Sequence, residues 1–255
     1  MQTLNNINFL VISLNDALDR RAHINKQFAS LGCTFVYLDA VDGRKLKSTP
    51  EEYAADARQL RYGYDLSDGE IGCFLSHQKA WKYCFEKQIN VAVFEDDVLI
   101  ERQILDVLKG IDQLDIEFDC LRLAGLTERP ASRIPIIKVG GYSIVEELRD
   151  PGGAGAYLLK PSGAKKLLNA SKRFYEPVDN FMENRLKNEL ILLALVPYPV
   201  KQNTLPSTIV DRLGFEKSKR HRIRRLAFRT LSDMKRIFWA VGRYFRSIKV
   251  RSHSK

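Results

Sequence analysis

The chain has 255 residues, 45% of them hydrophobic and 28% charged, the composition of a folded domain with a substantial core. No stretch approaches the roughly 20 consecutive apolar residues of a membrane-spanning helix, and the N-terminus MQTLNNINFLVISLND lacks the basic leader of a secretory signal. A cytoplasmic protein is therefore expected. The formal net charge of +10 is unevenly placed: residues 217–255 hold 14 Lys or Arg and one acid, while residues 1–216 are slightly acidic. Body and tail call for separate readings.

Residues 7–14, INFLVISL, are apolar and rich in β-branched side chains, and they read as a first strand. Leu18, Ile24, Phe28 and Leu31 then share one face of a helix over residues 17–31, which Gly32 ends. Residues 34–38 read as a second strand, completing a βαβ unit with a right-handed crossover. Ligands of open α/β sheets bind beyond the carboxyl ends of the strands, which puts Ser13, Asp39, Asp42 and Gly43 on a binding edge. Asp39 or Asp42 could accept hydrogen bonds from ribose hydroxyls or a base there; each also suits a loop or cap. The Gly-x-Gly-x-x-Gly fingerprint is absent, which argues against a dinucleotide-binding enzyme.

Residues 51–60 suggest a short helix over that edge. Ser67, with Glu70 three positions on, is a capping box opening a helix whose apolar face holds Ile71, Leu75, Ala80, Trp81, Cys84 and Phe85. Ser76 and His77 lie at its margin, and His77 reads either as a surface residue bonded to a carbonyl or as part of a site. Cys33, Cys73, Cys84 and Cys120 form no Cys-x-x-Cys pair and read as small buried hydrophobes rather than zinc ligands.

Residues 91–101, VAVFEDDVLIE, run from a continuous apolar strand into Glu95, Asp96 and Asp97. Three adjacent carboxylates repel one another unless a cation sits among them. Strand alternation would turn Glu95 and Asp97 to one side and Asp96 to the other. A hard cation, Mn²⁺ or Mg²⁺, that also takes phosphate oxygens fits such a set; the competing reading is a solvated turn.

Further on, residues 102–114 read as an amphipathic helix and 118–123 as a strand. Residues 134–139 and 142–145 read as short β-like runs. Gly152, Gly153 and Gly155 precede the apolar residues 156–159, where a ligand or backbone could approach closely. A helix is expected over 164–170, and another begins near Pro177 with Asp179 as its cap or as a working acid. Residues 190–200 contain Pro197 and Pro199 and suggest an edge strand or extended piece. In the tail, Ile223, Leu226, Leu231, Met234, Ile237, Phe238, Val241, Phe245 and Ile248 keep helical spacing amid arginines. That pattern points to an amphipathic helix on an anionic membrane surface. A nucleic-acid arm, a partner-protein helix and a charged disordered tail are the rivals. No nucleic acid is expected, because the body has no nucleic-acid-reading motif.

The stretches VISL with Arg20-Arg21, FVYLDAVDG, LSDGEIGCFLSHQKAW and VAVFEDDVLI, followed by GGAGAYLLKPSGAKKLL and PVDNFM, resemble the lipooligosaccharide glycosyltransferases of family 25 over about residues 7–210. The resemblance implies a GT-A-like, Rossmann-like α/β domain with a mixed central sheet over 1–216. It implies metal-dependent, inverting transfer of a hexose, with galactose first, from a UDP-sugar to a lipid-linked or lipopolysaccharide acceptor. Glu95, Asp96 and Asp97 stand where the family's Asp-x-Asp metal motif falls, with Glu95 departing from it. Asp179 is then the expected base, with Asp150 and Glu70 as rivals, while Ser76, His77 and Gly153 line the donor side. With the basic tail, such an enzyme would sit on the cytoplasmic face of the inner membrane. The other reading is a silent sugar-nucleotide- or lipid-binding adaptor of the same fold.

Overall fold

The computed structural model describes residues 7–203 other than Arg129 and Asp150, together with Thr230, Met234, Phe238 and Gly242. Asp150, and residues 217–255 apart from those four, lie outside the described residues. In chain order the elements are β1 (Ile7–Ser13), α1 (Leu18–Leu31), β2 (Val36–Asp39), α2 (Ala55–Tyr62), α3 (Asp68–Lys87) and β3 (Asn90–Glu95). Next come β4 (Val98–Ile100), α4 (Ile104–Asp112), β5 (Cys120–Arg122), β6 (Arg133–Val139), β7 (Tyr142–Glu147) and β8 (Ala156–Leu159). The described body ends with α5 (Pro161–Ala170), α6 (Val178–Glu183), α7 (Arg185–Asn188), β9 (Leu192–Val196) and β10 (Val200–Gln202).

Eight strands form one sheet in the order β2-β1-β3-β8-β5-β9-β7-β6. The β2-β1-β3 half is parallel, β8 runs antiparallel between β3 and β5, and the β6–β7 hairpin closes the far edge. This is the expected α/β architecture with a mixed central sheet. The period-two alternation of strands splits the core into two layers. Phe9, Val11, Ala92 and Phe94 pack with Ile24 and Phe28 of α1 and Leu108 of α4, whereas Leu10, Ile12, Val91 and Val93 pack with Phe74 and Trp81 of α3 and Phe181 of α6. Glu95 continues the second series, so its side chain points towards α3.

The structure corrects three expectations. The short helix lies at Ala55–Tyr62 rather than over 51–60. Residues 192–196 are an interior strand between β5 and β7, because Pro197 and Pro199 fall after the strand and cost it no ladder bond. The acidic strand stops at Glu95: Asp96 and Asp97 form a turn, and β4 leaves the main sheet to pair with β10.

Two glycines lock the loop after β2 against α3. A Cβ on Gly43 would lie 1.7 Å from the Asp68 carbonyl oxygen, and one on Gly72 would lie 2.5 Å from that of Val41. Backbone cannot yield as a flexible side chain can. Gly43→Ala is therefore expected to cost about 1–3 kcal/mol or more, read as a lower urea midpoint at unchanged slope.

Candidate active site

The sheet register sets Ser13 beside Asp39 and Ile12 beside Glu95, and the Glu95 N–H donates to the Gly155 carbonyl at 2.8 Å. The carboxyl ends of β1, β2 and β3 thus meet the start of β8 along one edge. Two hollows open there. The larger, of about 770 Å³, is lined by Ser13, Arg20, Asp42, His77 and the three acids. The other, of about 390 Å³, is lined by Tyr62, Tyr64, Glu70, Gly153 and Asp179. Cys73, Glu95 and Gln202 line both. Both volumes suit small-molecule ligands.

His77 of α3 is fully buried, with Nε2 3.1 Å from Glu95 Oε1 and Nδ1 2.9 Å from the Tyr157 hydroxyl. An ionised carboxylate only accepts, so the hydrogen-bond network assigns the proton to Nε2 and leaves Nδ1 to accept from Tyr157. The Tyr157 oxygen in turn accepts from the indole N–H of Trp81 at 3.1 Å. A buried chain of Trp81, Tyr157 and His77 therefore orients Glu95, which replaces the reading of His77 as a surface residue.

Asp96 and Asp97 do not alternate about the strand, because they belong to a turn. Both face Arg20 of α1, whose Nη1 is 3.0 Å from Asp96 Oδ1 and 3.6 Å from Asp97 Oδ2. Asp97 is buried and, among the described residues, its Oδ1 has no hydrogen-bond partner. Burial, followed by the charge of Glu95, pushes its carboxyl up to about 6. An orphaned, desolvated carboxylate oxygen that also feels the charge of a second carboxylate is a donor that a hard divalent cation fits. Asp97 and Glu95 can supply it, while Asp96 is the nearer partner of Arg20.

The other candidates fall into different places. Ser13 is buried and donates to the Leu14 carbonyl at 3.3 Å, and Asp39 pairs with Arg21 at 3.0 Å and lines neither hollow. Asp42 caps the turn at Gly43–Lys45, and Arg44 at 2.8 Å holds its carboxyl well below the usual carboxylate range. The Ser76 hydroxyl accepts from the Val41 N–H and donates to the Gly72 carbonyl, so it binds the loop to α3. Glu70 completes the predicted capping box by accepting from the Ser67 N–H at 2.8 Å, yet it also borders the smaller hollow.

Asp179 is not the helix cap; that position is Pro177. It accepts from the Gly153 N–H at 3.3 Å. One turn further along α6, Glu183 pairs with Arg122, whose guanidinium also donates to the Gly152 and Gly153 carbonyls. The glycine loop and Asp179 are thereby held to one anchor. Burial, then the charges of Glu95, Asp179, Asp97 and Glu70, raises the Cys73 thiol well above its ordinary value, which marks how these carboxylates surround it. Sequence reasoning missed Tyr157 and the wall of the smaller hollow, where the Arg58 guanidinium lies 4.0 Å from the centre of the Tyr62 ring and 4.7 Å from that of Tyr64. The Tyr-x-Tyr spacing at 62–64 was the available signal.

The family description "Glycosyltransferase family 25 (LPS biosynthesis protein)" matches residues 6–182. The chain belongs to this family. It is 27% identical to the lipooligosaccharide biosynthesis protein lic2B of Haemophilus influenzae, over 62% of this chain and 60% of that protein. It is 30% identical to procollagen galactosyltransferase 1-A of Xenopus laevis, over 68% of this chain and 30% of that one. The match thus spans less than two thirds of either relative. The family 25 relatives include a mouse protein named as inactive, "Inactive glycosyltransferase 25 family member 3", 30% identical over 68% of this chain and 30% of its own length. A Drosophila galactosyltransferase 7 mutant in complex with manganese, UDP-Gal and xylobiose overlays with a TM-score of 0.43 at 9% identity, covering 86% of this chain and 79% of that one.

Proposed function

We propose that this family 25 glycosyltransferase moves a hexose, with galactose as the expected one, from a UDP-sugar to a lipooligosaccharide or lipopolysaccharide acceptor, with inversion. The observation that carries the reading is the shared wall: Glu95 borders both hollows, and Asp97, whose Oδ1 has no hydrogen-bond partner among the described residues, lines the larger one with it. The larger hollow takes the nucleotide, and the smaller takes the acceptor sugar.

In the larger hollow the N-terminus of α1 lacks a side-chain cap and stands with Arg20 on the wall, a place suited to diphosphate oxygens. Asp97 and Glu95 would hold Mn²⁺ or Mg²⁺, which supplies charge neutralisation for the departing UDP. In the smaller hollow, the Tyr62 and Tyr64 side chains line the wall that would take a sugar, with the Arg58 guanidinium over both rings. Asp179, fixed by the Gly153 N–H, accepts the proton of the acceptor hydroxyl as its oxygen bonds to the anomeric carbon. The bond from that carbon to the phosphate oxygen breaks, and UDP leaves from the opposite face.

A screen of UDP-sugars against lipooligosaccharide acceptors, with and without EDTA, tests the reading. Metal-dependent product from one donor is expected. UDP binding with no product from any donor would favour the silent adaptor, which the relative named as inactive brings into consideration.

The tail, residues 217–255, is proposed to hold the enzyme on an anionic membrane surface at the cytoplasmic face. Met234 and Phe238, one helical turn apart, are both exposed, 51% and 74%. Deleting residues 217–255 is expected to release the protein from vesicles rich in anionic lipid and to leave turnover on soluble acceptors little changed; co-sedimentation checks it. Undiminished sedimentation would contradict the assignment.

A further inference from the structure

We propose that Cys73, His77 and Glu95 form a binding site for a thiophilic divalent cation, Zn²⁺, distinct in chemistry from the carboxylate site at Asp97. Cys73 and His77 stand four residues apart on α3 and so share one helix face. Glu95 reaches that face from the end of β3. One ligand atom from each, a sulfur, a nitrogen and an oxygen, lies within 4.8 Å of the other two. Three protein ligands of this mixed kind, with a fourth position left to water, suit a tetrahedral zinc ion.

Access and surroundings support the same reading. Cys73 and Glu95 line both hollows, so an ion can enter from either, and its open position would face the space proposed for substrate. A metal-ligating histidine commonly has its second ring nitrogen held by an outer partner, and the Tyr157 hydroxyl stands 2.9 Å from Nδ1 of His77. On binding, the Cys73 thiol gives up its proton to solvent and the His77 ring proton moves from Nε2 to Nδ1, so that Nδ1–H becomes the donor and the Tyr157 hydroxyl turns from donor to acceptor of their hydrogen bond. Cys84 and Cys120 are fully buried in the core and Cys33 lies in the layer across the sheet, so Cys73 is the thiol this site can use.

Soft and hard cations would then divide the acids between them. Zn²⁺ prefers the thiolate and imidazole, whereas Mg²⁺ prefers oxygens such as those of Asp97. Glu95 belongs to both sets. Zinc at this site would therefore withdraw Glu95 from the larger hollow and inhibit transfer; that consequence alone rests on the proposed function, and the binding site does not.

The test is equilibrium dialysis of the full chain against Zn²⁺ in excess Mg²⁺, with metal analysis, followed by absorption spectra of the Co²⁺-loaded protein. One zinc per chain and a thiolate-to-cobalt charge-transfer band are expected. Cys73→Ser should remove the band and weaken zinc binding by at least roughly 10- to 100-fold, the loss that even outer-partner changes bring at metal sites. Cys33→Ser should keep both. Should Cys73→Ser fold poorly, zinc protection of Cys73 from alkylation in the unmodified chain, read by peptide mass, supplies the same answer. Absent stoichiometric zinc, undiminished binding by a folded Cys73→Ser chain, a missing charge-transfer band or unprotected Cys73 would overturn the proposal.

Discussion

Asp97→Asn is expected to abolish transfer while making the metal-free protein more stable. The loss of turnover should reach about 10³-fold or more, on the order of 4 kcal/mol, since a direct oxygen ligand for the cation is removed. The gain in stability follows from the burial of this carboxyl. Its folded-state value is pushed up to about 6, above the ordinary 3.8, by desolvation and then by Glu95, with Arg20 opposing. The folded chain therefore binds the proton more tightly than the unfolded one. Stability contributed by this group falls as pH rises between those two values, and the full cost is present above about pH 6. A neutral amide removes it, so in chelator the variant should melt a few degrees higher at pH 7.5, corresponding to roughly 1–3 kcal/mol, and the advantage should shrink towards pH 4. A variant that loses both activity and stability would instead point to a structural role for Asp97.

Asp179→Asn should lower kcat by about 10²- to 10⁴-fold, the usual contribution of a positioned base, and leave UDP binding nearly unchanged. The split is expected because Asp179 lines the smaller hollow and not the larger. Glu70→Gln provides the contrast. A glutamine can still complete the capping box with Ser67, so the helix start survives and turnover should stay within about tenfold. If the Glu70 variant is the crippled one and Asp179→Asn is active, the base is Glu70.

Local features were legible in the residues, and features that depend on strand order were not. The Ser67–Glu70 capping box, the left-handed Gly32 after α1 and the first strand depend on neighbours in sequence, and each stands where the spacing put it. The interior position of β9 could not be read, since prolines near a strand suggest an edge and only the sheet order shows that they fall beyond it. The break after Glu95 was hidden for a similar reason. Apolar residues resume at Val98, and only the pairing of β4 with β10 reveals that the chain has turned out of the main sheet.

The same division runs through the site. The acid triplet announced itself by charge. Its partners did not, because Arg20 meets Asp96 across 76 positions and Tyr157 meets His77 across 80. Cys73 shows the cost of reading cysteines by motif alone: without a Cys-x-x-Cys pair it passed for a core residue, whereas the fold sets it between the two hollows.

Calorimetric titration of UDP into the full chain, with Mn²⁺ and then with EDTA, tests most directly whether the acidic turn holds a cation that holds a diphosphate. Saturable binding that needs the metal and vanishes in Asp97→Asn is the expected result. UDP binding of equal strength in EDTA, or undiminished in Asp97→Asn, would contradict it.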